Sequence, residues 1–351
     1  MASFLALIPA LGCDGGGPDP LPPPPASLTV DGSYEIVSTY DLTVGAVLPE
    51  SVASYTAPLV DLRRDPASTL FLLLDQAGVP LAHDLADALP DAVAGQLKGW
   101  MNAFFAADTY GGSSVGTQLD ALTQVIETVL TRPDVASRLT LPPLDAAGVT
   151  RATHALEELR YRLYDGALSI TVPIVAPPAG AARLLVRETS LDARVTVARN
   201  DEDARLYTRD HSFGIPYGTF ALDAIEQAAQ QRYGTDLRGL LGLLIDCDGM
   251  AASVADRCVL GVCVGHRDTL RAICDQGLNL VEDDLRARIS ALHFDALRLQ
   301  SGEAAMWDAT AATGVRDDRI DGIATGKWAA QIDFGMGARD VHATFVGTRT
   351  P

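Results

Sequence analysis

Ala-Leu-Ser-Ile-Thr-Val-Pro-Ile-Val, residues 167–175, is where the hydrophobic period of this chain changes from helical to alternating. The same character continues through Arg183–Thr189, Ala193–Ala198 and Ala204–Phe213. The turns between them include Pro177-Pro-Ala-Gly180 and Asn200-Asp-Glu-Asp203, whose residues favour chain reversal over ladder pairing. Working outward, Leu28–Val47 also reads as strand, with a bend at Asp31-Gly32. Toward the other end, Ala287–Gln300, Ala304–Thr310, Lys327–Phe334 and Asp340–Thr348 return to β character.

Helical signals fill the gaps. Asp65 caps a short helix with Pro66 in its first turn, running to Gln76. A second helix begins near Pro90, where Val93, Leu97, Trp100, Met101, Phe104 and Phe105 recur at three-to-four spacing. After a loop at Tyr110–Gly116, Leu119, Leu122, Val125, Ile126 and Val129 mark a third helix, and Thr150–Leu163 reads as a fourth. Thr219–Arg232 and Leu278–Leu285 follow. Strands at both ends and in the middle, separated by helices, predict an α+β fold. Its antiparallel sheet is curved or barrel-like and packed with amphipathic helices. One interwoven body over 28–351 is expected, a subdivision near 166 being the alternative.

The chain has 351 residues and a formal net charge of −18. Such a balance excludes an electrostatic grip on nucleic acid, which needs clustered Lys and Arg. It equally disfavours peripheral binding to anionic headgroups. Only Lys98 and Lys327 are lysines, which fits a GC-rich bacterial composition.

Residues 1–12 are apolar for about the length of a signal-peptide core, and too short for a membrane-spanning helix of ~20 residues. The segment Ala10-Leu11-Gly12-Cys13 resembles the lipobox of bacterial lipoproteins, although Ala10 stands where Leu is usual and no basic residue precedes the apolar run. That resemblance implies cleavage before Cys13 and a diacylglycerol on its thiol. It places the protein in the cell envelope, on the outer membrane or the periplasmic face of the inner one. Residues 13–27 are Gly-rich and then Pro-rich, a tether that cannot pack a core. Two C-terminal pieces, Gly326-Lys-Trp-Ala-Ala-Gln-Ile332 and Ala343-Thr-Phe-Val-Gly-Thr-Arg349, resemble the closing hairpin of uncharacterised exported lipoproteins of GC-rich bacteria. Gly32-Ser-Tyr34 and Tyr40-Asp-Leu-Thr43 do so more loosely.

Four further cysteines remain. Cys247 and Cys258 are 11 residues apart, as are Cys263 and Cys274. On helices that spacing puts each pair on one face but ~16 Å apart, beyond disulfide reach. Bridging must therefore run between helices. A hairpin turning at Leu260-Gly261 predicts nested bridges 247–274 and 258–263. Zinc is disfavoured because short Cys-x2-Cys pairs are absent.

Catalytic signals are weak. Gly112-Ser-Ser-Val-Gly116 matches the nucleophile-elbow pattern with Ser114 as nucleophile and His211 or His293 as a distant base, but the segment before it reads as helix rather than strand. Asp317–Gly322 lacks the acids a calcium loop requires. The six histidines, 83, 154, 211, 266, 293 and 342, follow no metal-ligand spacing and read as surface or satisfied core residues. Glu157-Glu158 and Glu282-Asp283-Asp284 read as solvated helix faces. No cofactor and no metal is expected. The sequence therefore favours a non-enzymatic, lipid-anchored envelope protein, with the stripe from Val93 to Phe105 facing a lipid or other apolar ligand. Its alternatives are a structural or protein-interaction lipoprotein with a filled core, and a secreted serine hydrolase using Ser114.

Overall fold

The fold is seen in a computed structural model, which describes residues 28–43, 48–49, 65, 68, 72, 95–96, 98–100, 102–103, 106, 109–110, 113–175, 185–197, 204–256, 258–259, 262–263, 265–308 and 319–351. Among the described residues, ten strands carry the main sheet: β1 Gly32–Asp41, β2 Asp134–Leu141, β3 Val149–Leu163, β4 Leu168–Pro173, β5 Glu188–Val197, β6 Ala204–Thr208, β7 His211–Ile215, β8 Phe294–Trp307, β9 Gly322–Asp333 and β10 Arg339–Arg349. The helices that accompany them are α1 Val115–Thr131, α2 Tyr217–Tyr233, α3 Leu237–Leu244, α4 Cys247–Val254 and α5 Arg267–Ser290.

Every ladder among these strands is antiparallel. Following the pairings from β1 through β2, β3, β5, β6, β8, β9 and β10 returns to β1, so the sheet closes as an eight-stranded barrel. Consecutive strands are neighbours all the way round, an up-and-down arrangement. The two remaining strands extend this wall. β4 pairs with the far half of β3. β7 continues the line of β6 along β8 after a break at Arg209-Asp210. Two long connections leave the barrel: residues 42–133, ending in α1, and 216–293, containing α2 to α5.

Barrel closure is clasped by Arg349. Its guanidinium donates to the carbonyls of Asp31 and of Ile320, the latter at 3.1 Å, and lies over the Tyr34 ring at 5.9 Å. Gly32 sits beneath it at φ +143°, where a Cβ would come within 2.9 Å of the guanidinium.

The expected strands at 28–47, 167–175, 204–213, 327–334 and 340–348 all contain sheet, within differences of a few residues at their ends. Thr150–Leu163, expected as a helix, is instead β3. Its Ala, Leu, Glu and Arg content favours helix in isolation. Period-two burial wins: Ala152, His154 and Leu156 point inward, then Leu159, Tyr161 and Leu163. A register shift against β2 at Ala136/Ser137 breaks the alternation between the two sets and disguises the strand. The Glu157-Glu158 pair is therefore on a strand, Glu157 accepting from Arg138 on neighbouring β2 and Glu158 from Arg160 along β3 itself. Ala287–Gln300 divides, helix through Ser290 and strand only from Phe294. Arg183–Thr189 and Ala193–Ala198, expected as separate strands, join within β5 from Glu188 to Val197.

Outward positions carry Glu35, Arg138, Glu158, Arg160 and Arg162, where a lipid-facing barrel wall needs an apolar band. The inward positions form one contiguous cluster with the helices. Tyr217 at the start of α2 stacks on Phe294 at 4.6 Å and donates its hydroxyl to the Val129 carbonyl of α1, at 2.5 Å. That contact seats the helices on the barrel end.

Candidate functional site

The densest polar constellation lies inside the barrel. Ser137 on β2, His154 on β3 and His211 on β7 are 1%, 1% and 5% exposed, so all three are sealed from bulk water. His154 Nε2 is 2.9 Å from Ser137 Oγ, and His154 Nδ1 is 2.9 Å from His211 Nε2. His211 Nδ1 is 2.8 Å from the Arg209 carbonyl, at the break between β6 and β7.

The protons follow by elimination. A carbonyl only accepts, so His211 donates from Nδ1 and leaves Nε2 bare. His154 then donates from Nδ1 into that nitrogen, and Ser137 donates its hydroxyl to His154 Nε2. The result is a one-directional relay, assigned from the network of acceptors.

Aromatic rings enclose it. Trp328 stacks on His154 at 5.8 Å and on Phe345 at 4.1 Å, while Phe213 meets both imidazoles edge-on. The Trp328 indole donates to Ser38 Oγ at 3.0 Å. Gly302 makes room for this layer, since a Cβ there would stand 2.2 Å from Trp328 Cζ3. An eight-stranded barrel is just wide enough either to be filled by side chains or to hold one small ligand. At this level side chains fill it.

Burial holds both imidazoles neutral. It pushes His154 down to about 3, helped by the neighbouring His211. It also lowers His211, against the opposing pull of its Arg209 bond and of Asp210. Ser137, His154 and His211 reproduce the order of nucleophile, base and orienting group. Burial disfavours the imidazolium that His154 would become on taking a proton from Ser137. With the serine sealed as well, the relay acts as a polar tie between β2, β3 and β7.

The sequence-predicted residues fall elsewhere. Cys247 and Cys274 are bridged, with Cα atoms 5.6 Å apart, and fasten α4 to α5 as expected. Cys258 is disulfide-bonded too, and its Cα pairs with that of Cys263 across a two-residue ladder. Ser114 ends a second two-residue ladder at the start of α1, and its side chain lies outside the described residues. Cys13, Val93, Leu97, Met101, Phe104 and Phe105 also lie outside them. Trp100, the described member of that stripe, is helical and packs against the core. Asp65 caps as predicted, accepting from the Ser68 amide at 3.1 Å.

The sequence offers His211 only as a distant base for Ser114, and does not foresee its pairing with His154 and Ser137. The relay's members are 17 and 57 residues apart, and only the strand register brings them together. The one available signal is alternation over Thr150–Leu163, which turns His154 inward.

Among the described residues, no group of three or more His, Cys, Asp or Glu side chains is placed to hold a metal ion. None of the described helices is long and apolar enough to cross a membrane. The Cys247–Cys274 bridge marks a protein that matures in an oxidising, extracytoplasmic compartment. No family model, curated protein or solved structure matches the chain.

Proposed function

We propose that this is a lipid-anchored cell-envelope protein whose barrel is a filled, rigid, non-enzymatic scaffold and whose outer wall is its working surface. The observation that carries the scaffold reading is the layer of Trp328, Phe345, Phe213, His154 and His211 across the barrel interior, where a container would leave a cavity. The lipobox resemblance at Cys13 and the disulfide Cys247–Cys274 support export and anchoring. Filling supports the structural or interaction role over an apolar-ligand role.

The test is expression of wild type and Cys13→Ala in a GC-rich bacterial host fed alkynyl palmitate. Wild type takes up the label and stays with membranes, and Cys13→Ala does neither. Unlabelled wild type sinks the anchor. Native mass spectrometry of gently purified Cys13→Ala protein, which carries no covalent lipid, tests the scaffold separately: a bare protein mass supports it, and a stoichiometric bound lipid overturns it.

A further inference from the structure

The helical hairpin of α4 and α5 is closed by sulfur at two levels, and the two levels differ in access to solvent. Cys247 and Cys274 join the helices themselves and are only 6% and 8% exposed. Cys258, beyond the end of α4, is disulfide-bonded too, but exposed. Its Cα pairs with that of Cys263, the neighbouring cysteine left over once Cys247 and Cys274 have taken each other. The ladder around this outer pair has two rungs, Cys258–Cys263 and Val259–Val262.

Access decides which sulfur an attacking thiolate reaches. Exposed bridges are the labile and regulatory ones, whereas buried structural bridges resist reduction. Loop size points the same way. Cys258 and Cys263 are five apart in sequence, against 27 for the inner pair, and a smaller loop restrains the unfolded chain less. The fold therefore draws less on the outer bridge than on the inner one. Backbone strain adjoins the outer ladder. Asp256 has φ +55°, a left-handed conformation that a residue with a Cβ adopts at a cost. Two exposed ties hold it there: its N–H donates to the Gly265 carbonyl at 3.4 Å, and His266 Nδ1 donates to its carboxylate at 3.0 Å. Opening the outer bridge removes the covalent closure around this strained turn, while the inner bridge keeps α4 against α5.

We propose that the Cys258–Cys263 bond is a thiol–disulfide exchange site, which a dithiol reductant opens to free the hairpin tip and a disulfide oxidant closes again. The reductant's thiolate attacks the exposed Sγ of Cys258 and breaks the bond to Cys263. Cys263 leaves as a thiolate and takes up the proton that the attacking thiol gave up. The reductant's second thiol then attacks the mixed disulfide and passes its proton to Cys258. Two electrons have moved: the reductant ends as a disulfide and the protein as two thiols. The site goes beyond the scaffold reading and rests neither on the anchor nor on the filled barrel.

Graded dithiothreitol on folded Cys13→Ala protein, in which only the four hairpin cysteines remain, tests the inference. Free thiols are trapped with iodoacetamide and placed by peptide mass. Two thiols, on Cys258 and Cys263, should appear at least tenfold lower in dithiothreitol than those of Cys247 and Cys274. The barrel's near-ultraviolet dichroism should stay unchanged, and oxidised glutathione should restore the bridged mass. Trypsin cleavage between residues 247 and 274 should quicken at least tenfold in the reduced protein. Cys258→Ser/Cys263→Ser should fold with the same dichroism, be cut as fast as the reduced protein, and yield no thiol at the lower concentration. Opening of the inner bridge first or together with the outer one overturns the proposal. So does an outer bridge that survives until the protein unfolds, an unchanged rate of cleavage, or a serine variant that fails to fold.

Discussion

The imidazoles of His154 and His211 meet nitrogen to nitrogen at 2.9 Å, and burial keeps both uncharged. Stability is therefore linked to pH. Folded-state affinity for protons is depressed, so below the ordinary histidine value of 6.5 the unfolded chain takes up protons that the folded chain refuses. This contribution is whole above pH ~6.5 and declines as pH falls toward 3. Each histidine can cost up to about 1.4 kcal/mol per pH unit in that window. Urea unfolding between pH 7 and 4.5 should show falling stability, with a shallower slope in His154→Leu. A variant slope equal to that of wild type would refute the linkage.

Gly302 and Gly95 predict opposite responses to the same substitution. Alanine at 302 drives a methyl into Trp328 and the Thr208 hydroxyl, and should cost about 1–3 kcal/mol or more. Gly95 is helical, and a Cβ there meets nothing within 4 Å, so alanine should be stabilising by about 0.5–1 kcal/mol. Denaturant midpoints of the two variants decide the matter.

Cys247–Cys274 closes a segment with a sequence separation of 27. Chain-entropy reasoning assigns such a crosslink about 3–4 kcal/mol. Cys247→Ser/Cys274→Ser should lower the melting temperature while leaving the barrel's near-ultraviolet dichroism intact below the transition. Loss of that signal at room temperature would show that the barrel depends on the staple.

Arg286 joins α2 to α5 through Glu226 and Glu282, the latter at 2.7 Å. Arg286→Met leaves the buried Glu282 with only Arg238, at 3.8 Å, and takes the guanidinium from Glu226. We expect a loss of about 2 kcal/mol, below the ~3–5 of a fully buried pair because Arg286 retains 30% exposure. Adding Glu226→Gln should recover part of it in a double-mutant cycle.

What can be read from the sequence is what depends on local pattern. Alternation around 167–175, apolar spacing in α1 and α2 and the Asp65 cap follow from neighbours within a few turns, and the Cys247–Cys274 bridge from the nesting of four cysteines about one hairpin. Closure of the barrel does not, because β1 meets β10 through partners such as Tyr34 and Arg349, at opposite ends of the sequence. β2 escapes notice because Asp134–Leu141 is buried on nearly every residue and so shows no alternation. β3 passes for a helix because its bulge hides the period and its composition suits one. The candidate site is hidden for the same reason, as His154 lies on that strand.

The seam between β1 and β10 also sets a timetable. A chain exported from its N-terminus delivers β1 first, yet that strand's outer edge waits for the residues around Val341–Arg349. Until they arrive the sheet is open, with β1 and β9 presenting bare edges on which other chains can pair. Contacts of such sequence separation form slowly. The final ladder, with Arg349 latched over Tyr34, is therefore the step that ends exposure to aggregation, and a lesion in β10 should act as a folding defect long before it acts on any surface the finished barrel displays.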